Sequence, residues 1–264
     1  MLSDLHNHLV PGVDDGCADL AESVDALRAL YAEGVRRLVA TPHLLLPRLR
    51  SDAAIAAELD LQRRAFGRLL EHIEGEPELP AIGLGQEIWA PDAAALRRVV
   101  ARADVGLAGS RVLLVEFGFD LSGTHEDVVR TALDAGRGIV IAHPERYAYP
   151  ASVEPLEQMS RWRELGALLQ VNAGSFSGHY TDHRPLSQTL AWAMVSAGLV
   201  DLVASDHHGP RRTGVSPREA FDALCARGRR ELAVRAMEDR PAEVLREAKL
   251  LESSRPVRTR AAGG

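Results

Sequence analysis

The sequence predicts an α/β protein built as a closed parallel barrel, and three observations carry that prediction. Short apolar runs alternate with amphipathic helical stretches about seven times along the 264 residues. The runs are strongly apolar, as expected of parallel strands buried on both faces by crossover helices. Nearly every run ends in a polar cluster, and in a barrel the C-terminal ends of all strands meet on one face. An open doubly wound sheet would gather fewer of these clusters, at one switch point.

The first predicted strand, residues 2 to 8, carries Asp4, His6 and His8 at alternate positions, so all three share one face. A helical stretch from Asp19 to Glu33 follows and stops at Gly34. Strand 36 to 41 leads into Thr41-Pro42-His43, and Ala53 to Ile73 is helical. Strands 80 to 87 and 111 to 117 carry Glu87 and Glu116 near their ends; His125 to Ala135 is helical and ends at Gly136. Strand 138 to 143 runs into His143-Pro144-Glu145-Arg146, with the helix Glu154 to Leu165 closing at Gly166. Strand 167 to 172 ends on Asn172, and Leu186 to Ala197 is helical up to Gly198. The last strand, 200 to 205, runs into Ser205-Asp206-His207-His208. Residues 215 to 250 pattern as two further helices. A single domain therefore spans 1–250, and 251–264 reads as a mobile tail.

Composition narrows the function classes. The formal charge of −6 and pI near 5.9 argue against a nucleic-acid surface as the main business. Cys17 and Cys225 are the two cysteines, too few for a disulfide framework, so reducing surroundings are expected. Asp4, His6 and His8 interrupt the first apolar stretch, and no segment approaches the length of a membrane span. The expected location is the cytoplasm, without direct membrane insertion.

The strand ends supply Asp4, His6, His8, His43, Glu87, Glu116, His143, Asn172, Asp206 and His208, and the loop after the first strand adds Asp14-Asp15-Gly16. Imidazoles and carboxylates without thiolates suit zinc, manganese or iron, and carboxylates can bridge two ions. So many ionisable groups at one barrel mouth need cations to compensate them. Taken singly, Glu87 and Glu116 read as ordinary strand-end acids, Asp14-Asp15-Gly16 as a turn, Arg146 as an ion-pair partner and Asn172 as a backbone cap; their co-occurrence favours the metal reading. His72, His125, His179 and His183 fall in helices or polar loops and read as solvated surface positions. His207 alternates with Asp206 and His208 and should point elsewhere. Cys17 reads as a packing residue. A cysteine-phosphatase loop needs Arg six positions after Cys, where Ser23 and Glu231 stand instead.

As a set, Asp4-x-His6-x-His8, Asp14-Asp15-Gly16, Thr41-Pro42-His43, Glu87, Glu116, His143-x-Glu145-Arg146 and Ser205-Asp206-x-His208 resemble the polymerase and histidinol phosphatase superfamily. Their order and spacing are similar to its bacterial manganese-dependent protein-tyrosine phosphatases of capsule and exopolysaccharide regulation, over residues 1 to 250. The resemblance implies a distorted (β/α)7 barrel holding three divalent ions, manganese first, with iron or zinc as alternatives. His6, His8, Glu87 and Asp206 match the ligands of one ion; Glu87, Glu116 and His143 those of a second; Asp15, His43 and His208 those of the third. Arg146 matches the arginine that contacts the substrate phosphate. Arg211 or Arg212 stands one or two positions early for a second family arginine, in a loop that looks shortened.

The implied reaction is hydrolysis of a phosphomonoester, phosphotyrosine on a protein, by a metal-bridging hydroxide, with Arg146 on the equatorial phosphate oxygens. A phenol leaves with a pKa near 10 and depends less than an alcohol on a general acid. The implied partner is a bacterial tyrosine autokinase, and a homo-oligomer is compatible with the sequence. A small-molecule phosphatase such as histidinol phosphatase is the alternative enzyme. A non-catalytic module of the superfamily is the alternative of another class; it is disfavoured because the apparent ligand set is complete.

Overall fold

A computed structural model describes residues 1–211, 215–246 and 250; Arg212, the side chain of Arg211 and the expected tail 251–264 lie outside the described residues. Nine strands occupy seven positions of one parallel barrel. β1 (Leu2–Asp4), β2 (Val35–Ala40) and β4 (Ala81–Leu84) form one ladder; β3 (His43–Leu45), β5 (Glu87–Trp89), β6 (Val112–Glu116), β7 (Gly138–Ala142), β8 (Leu168–Asn172) and β9 (Leu202–Ala204) form the other. β3 continues β2 past Thr41-Pro42, and β5 continues β4 past Gly85-Gln86. The helices follow in turn: α1 (Leu20–Ala32), α2 (Asp52–His72), α3 (Ala93–Arg97), α4 (Glu126–Asp134), α5 (Pro155–Leu165), α6 (Ala173–Ser177), α7 (Ser187–Ala197), α8 (Pro217–Ala226), α9 (Arg230–Val234) and α10 (Arg240–Val244).

The barrel closes where its last strand meets its first. Asp206 N–H donates to the His6 carbonyl at 2.8 Å and His8 N–H to the His207 carbonyl at 2.7 Å. Buried Asp4 clamps the same seam, accepting from Ser205 N–H at 2.9 Å and from the Ser205 hydroxyl at 2.6 Å. The distortion lies between β4 and β6, which do not pair; the turn 107–109 packs against both.

Alternation along the strands sorts two cores, because successive side chains leave opposite faces. Leu113, Val115, Ile139, Ile141, Leu169, Val171 and Val203 point outward into the layer under the helices. Val39, Leu114, Val140, Ala142 and Leu202 point into the barrel, where Leu107, Val244 and Leu245 join them. Higher in the barrel the inward positions turn polar, with Glu116, Gln170 and Asn172 all buried. The sequence pattern thus builds an apolar floor and a polar mouth.

Helix ends follow local chemistry. Asp19, Ser51, Asp92 and Ser216 cap α1, α2, α3 and α8 with side-chain oxygens. The glycines expected at helix ends, Gly34, Gly136, Gly166 and Gly198, all have positive φ. Several expectations need correction. The strand expected over 2 to 8 stops at Asp4, because the chain leaves the β1–β2 ladder and crosses to Ser205–His207. The strand expected over 80 to 87 is two strands, interrupted where Gly85 N–H reaches back to the Ala40 carbonyl. Residues 217–244 form three helices and a π-helical turn at 235–239 rather than two helices. Among the described residues no helix is long and apolar enough to cross a membrane.

Candidate metal centre

The polar mouth is crowded with imidazoles. His8 stacks on His208 at 3.9 Å between ring centroids and lies 4.3 Å from His43, and His6 lies 5.4 Å from His143. Three of these rings have their tautomer set from behind. His6 donates Nδ1–H to Gln170 Oε1 at 2.8 Å, His8 donates Nδ1–H to Asp14 Oδ2 at 2.8 Å, and His208 donates Nδ1–H to the Asp206 carbonyl at 2.8 Å. Each then turns its Nε2 toward the cavity, which is how metal-ligating histidines are held.

Carboxylates stand opposite those lone pairs. Glu87 Oε1 lies 3.2 Å from His6 Nε2 and 2.9 Å from His143 Nε2, and its Oε2 lies 2.7 Å from His43 Nδ1 and 3.4 Å from His8 Nε2. Asp206 Oδ1 lies 3.4 Å from His6 Nε2 and 3.3 Å from His8 Nε2. Asp15 Oδ1 lies 3.3 Å from His43 Nε2 and 3.5 Å from His208 Nε2. Glu116 Oε2 is 3.8 Å from His143 Nε2. Donor atoms in three overlapping groups fall within 4.8 Å of one another: His8, Asp15, His43 and His208; His6, His8 and Glu87; His43, Glu87 and Glu116. The structure therefore brings all nine expected ligand residues to one place.

The donor set fits cations. His6 Nε2, His8 Nε2, His43 Nδ1 and Glu87 Oε2 are buried and stand 2.7–3.4 Å from partners within the cluster, yet none is aligned for a hydrogen bond. Unsatisfied buried polar atoms are costly, and four converging on one cavity are accounted for by ions that take their lone pairs. Electrostatics agree. Burial opposes ionisation of Glu87 and Asp206, yet the surrounding imidazoles, His6 first, hold both carboxyls well below the usual range. Burial and the charge of Glu87 push Glu116 up to about 8, and burial pushes His143 down to about 4.

Local backbone makes this convergence affordable. His143 and Asp206 sit in the left-handed region at φ 34 and 53, so the chain turns sharply at the end of β7 and after β9 to aim both side chains inward. Gly16 lies against His8: a Cβ there would stand 2.0 Å from the His8 carbonyl oxygen. Only glycine lets the Asp14-Asp15 loop fold back onto the first histidine strip.

Arg146 closes the far side. Its Nη1 donates to Asp206 Oδ2 at 2.6 Å, and its guanidinium lies 4.9 Å from the Phe119 ring and 4.0 Å from Tyr180. Asn172 orients the same carboxylate, donating to Asp206 Oδ2 at 2.7 Å. The side chain of Arg211 and the whole of Arg212 lie outside the described residues.

Of the other placements, Asp4 and His125 differ from expectation, whereas His207 turned away, Cys17 packed and His179 and His183 exposed are as expected. Asp4 does not face the imidazoles; it holds the barrel seam. His125 is buried and stacked on Phe117 at 4.8 Å, not solvated, because its left-handed backbone at the start of α4 turns the ring inward. His179 and His183 are exposed, yet with Tyr180 and Asp182 they line a cavity of about 630 Å³ over the cluster, because the loop after α6 folds across the mouth. His207 turns away and accepts from Gly209 N–H; burial pushes it down to about 4. Cys17 is fully buried, its thiol pushed up to about 12 by burial. Gln170 and Tyr180 escaped sequence reading: one is an amide within an apolar strand, the other a lone aromatic in a polar loop.

Comparison with known proteins agrees with this geometry. A family model described as capsular polysaccharide synthesis, CpsB/CapC, matches residues 2–246. The chain is 29% identical over 223 residues to tyrosine-protein phosphatase YwqE of Bacillus subtilis, covering 84% of this chain and 83% of that one. It is 26% identical over 245 residues to tyrosine-protein phosphatase CpsB of Streptococcus pneumoniae, covering 92% and 97%. Crystal structures of YwqE and CpsB, described as unique metal-dependent tyrosine phosphatases, include a chain that superposes with a TM-score of 0.73 at 26% identity, covering 97% of this chain and 99% of that one.

Proposed function

The chain belongs to the CpsB/CapC family of capsular polysaccharide synthesis, and from that premise we propose that it is a metal-dependent protein-tyrosine phosphatase. Its substrate would be phosphotyrosine on a bacterial tyrosine autokinase in the cytoplasm, and its catalytic domain residues 1–250. The observation that carries the reading is the ring of Nε2 atoms of His6, His8 and His208, each fixed by a partner behind it and each facing carboxylates beside Arg146.

His6, His8, Asp15, His43, Glu87, Glu116, His143, Asp206 and His208 would hold three divalent ions, manganese in preference to iron or zinc. When bound, such ions neutralise phosphate charge and lower the pKa of water. The protein's own part is binding and orientation. Arg146 is the substrate-facing cation: Phe119 and Tyr180 pin the plane of its guanidinium, and a planar fork matches two phosphate oxygens where a lysine would offer a point charge. Arg211 or Arg212 would supply a second cation. His143 stays neutral and free to act as a ligand because burial denies it a proton. A phenolate leaving group, with a pKa near 10, asks little of a general acid.

Protein loaded with manganese should release phosphate from a phosphotyrosyl peptide, and chelation should abolish the release. His43→Ala and Asp206→Ala should each lower kcat/KM by about a thousandfold or more, comparable with losing a principal electrostatic group. Full turnover after thorough chelation would sink the metal reading; turnover on histidinol phosphate alone would redirect it to a small-molecule phosphatase.

A further inference from the structure

Two cavities meet at the metal cluster, sharing Asp15, His43, Glu116 and Phe119. One is polar, under His179, Asp182 and His183. The other, of about 740 Å³ and the more apolar of the two, runs outward between Leu45, Leu49, Trp89 and Phe119, with Arg48 and Glu58 also on its lining. Its wall comes from the two short strands beyond the barrel rim. His43 pairs in register with Glu87, and two residues further on Leu45 pairs with Trp89. Residues i and i+2 share a face, so the pleat that aims His43 and Glu87 at the cluster also lays Leu45 and Trp89 beside it, roughly 6–7 Å along the strands. Leu44 and Ile88, the alternate residues, are fully buried on the opposite face, which fixes the facing of the pair. Trp89 in turn lies against Gly118, where an added Cβ would stand 2.8 Å from its Nε1.

We infer that the β3–β5 extension is the specificity wall of the site, receiving the aromatic ring of the leaving group on Leu45 and Trp89 while the phosphate sits at the cluster. The inference rests on the phosphatase reading and names the residues that select its substrate. A phosphomonoester bound at the cluster must direct its organic group into one of the two cavities. The polar one solvates an alkyl group poorly and a phenyl ring no better, whereas the apolar one offers two side chains of the same strand ladder to an aromatic face.

Binding of benzylphosphonate and ethylphosphonate, neither of which is hydrolysed, tests the wall by calorimetry on the manganese-loaded protein. The native protein should bind the benzyl compound about tenfold or more tightly than the ethyl compound. Trp89→Ala and Leu45→Ala, two independent variants in case one folds poorly, should each bring the two affinities to within about twofold of each other. Equal affinities in the native protein, or a preference that survives in both variants, would overturn the wall. Hydrolysis of phosphotyrosyl and phosphoseryl peptides of one sequence separates the two readings: a native preference in binding with no turnover of either peptide would refute the phosphatase and leave the wall standing.

Discussion

At the scale of single residues, the site depends on side chains that never touch a substrate. Gln170 fixes His6, Asp14 fixes His8 and also accepts from His43 N–H at 3.1 Å, and Asn172 fixes Asp206. Outer partners of this kind govern metal affinity by holding ring and tautomer, and removing one costs roughly 10–100-fold. Gln170→Leu nearly keeps the volume and removes both the acceptor for His6 and the donor that Gln170 Nε2 gives to Asn172 Oδ1 at 2.8 Å. Manganese titration of that variant should therefore show affinity weakened by about 10–100-fold; native affinity would mean that His6 is not a ligand. The proposed ligands were legible as histidines and carboxylates placed after successive strands. Gln170 was not, because a single amide inside Leu168–Asn172 looks like any tolerated interior polar group until its partner is known. His125 was misjudged for the converse reason: its environment is set by Phe117, which lies eight residues back on another element.

At the scale of elements, seven strand positions and the helices α1, α2, α4, α5 and α7 were legible, since each has enough residues to show a period or a continuous apolar run. β3 and β5 were not. Three residues beyond Pro42 or Gly85-Gln86 carry no measurable periodicity, and only the pairing of His43 with Glu87 reveals them as strands. The β9–β1 seam was equally hidden, because Asp4 reads as one more ligand on the His6 and His8 face. Its actual duty yields a test. Ser205→Ala removes the hydroxyl's contacts beside a buried carboxylate, its donation to Asp4 and the His6 carbonyl and its acceptance from His207 N–H. Urea unfolding should show a loss of about 1–3 kcal/mol, the cost of leaving such groups unpaired. A change inside experimental error would place the seam's strength in its backbone bonds alone.

At the scale of the whole molecule, barrel and proposed metal centre are one object, since eight of the nine proposed ligands lie on or shortly after β1, β3, β5, β6, β7 and β9, and Asp15 alone comes from a loop. Ions that bind the folded chain and not the unfolded one stabilise it by mass action, about 2.7 kcal/mol at a hundredfold excess over Kd. For a chain of this size that corresponds to a rise in Tm of about 5–10 °C on adding manganese, reversed by chelator, and an unmoved Tm would argue that the cluster holds no ion. The closed seam also orders events in time. Asp4 and Ser205 are 201 residues apart in sequence, and His6 and His8 leave the ribosome long before Asp206 and His208. A nascent chain carries His6 and His8 through synthesis without Asp206 and His208, so the full cluster can assemble only once the last strand has been made. Truncation anywhere before the final strand should leave a product that neither shuts its barrel nor retains an ion.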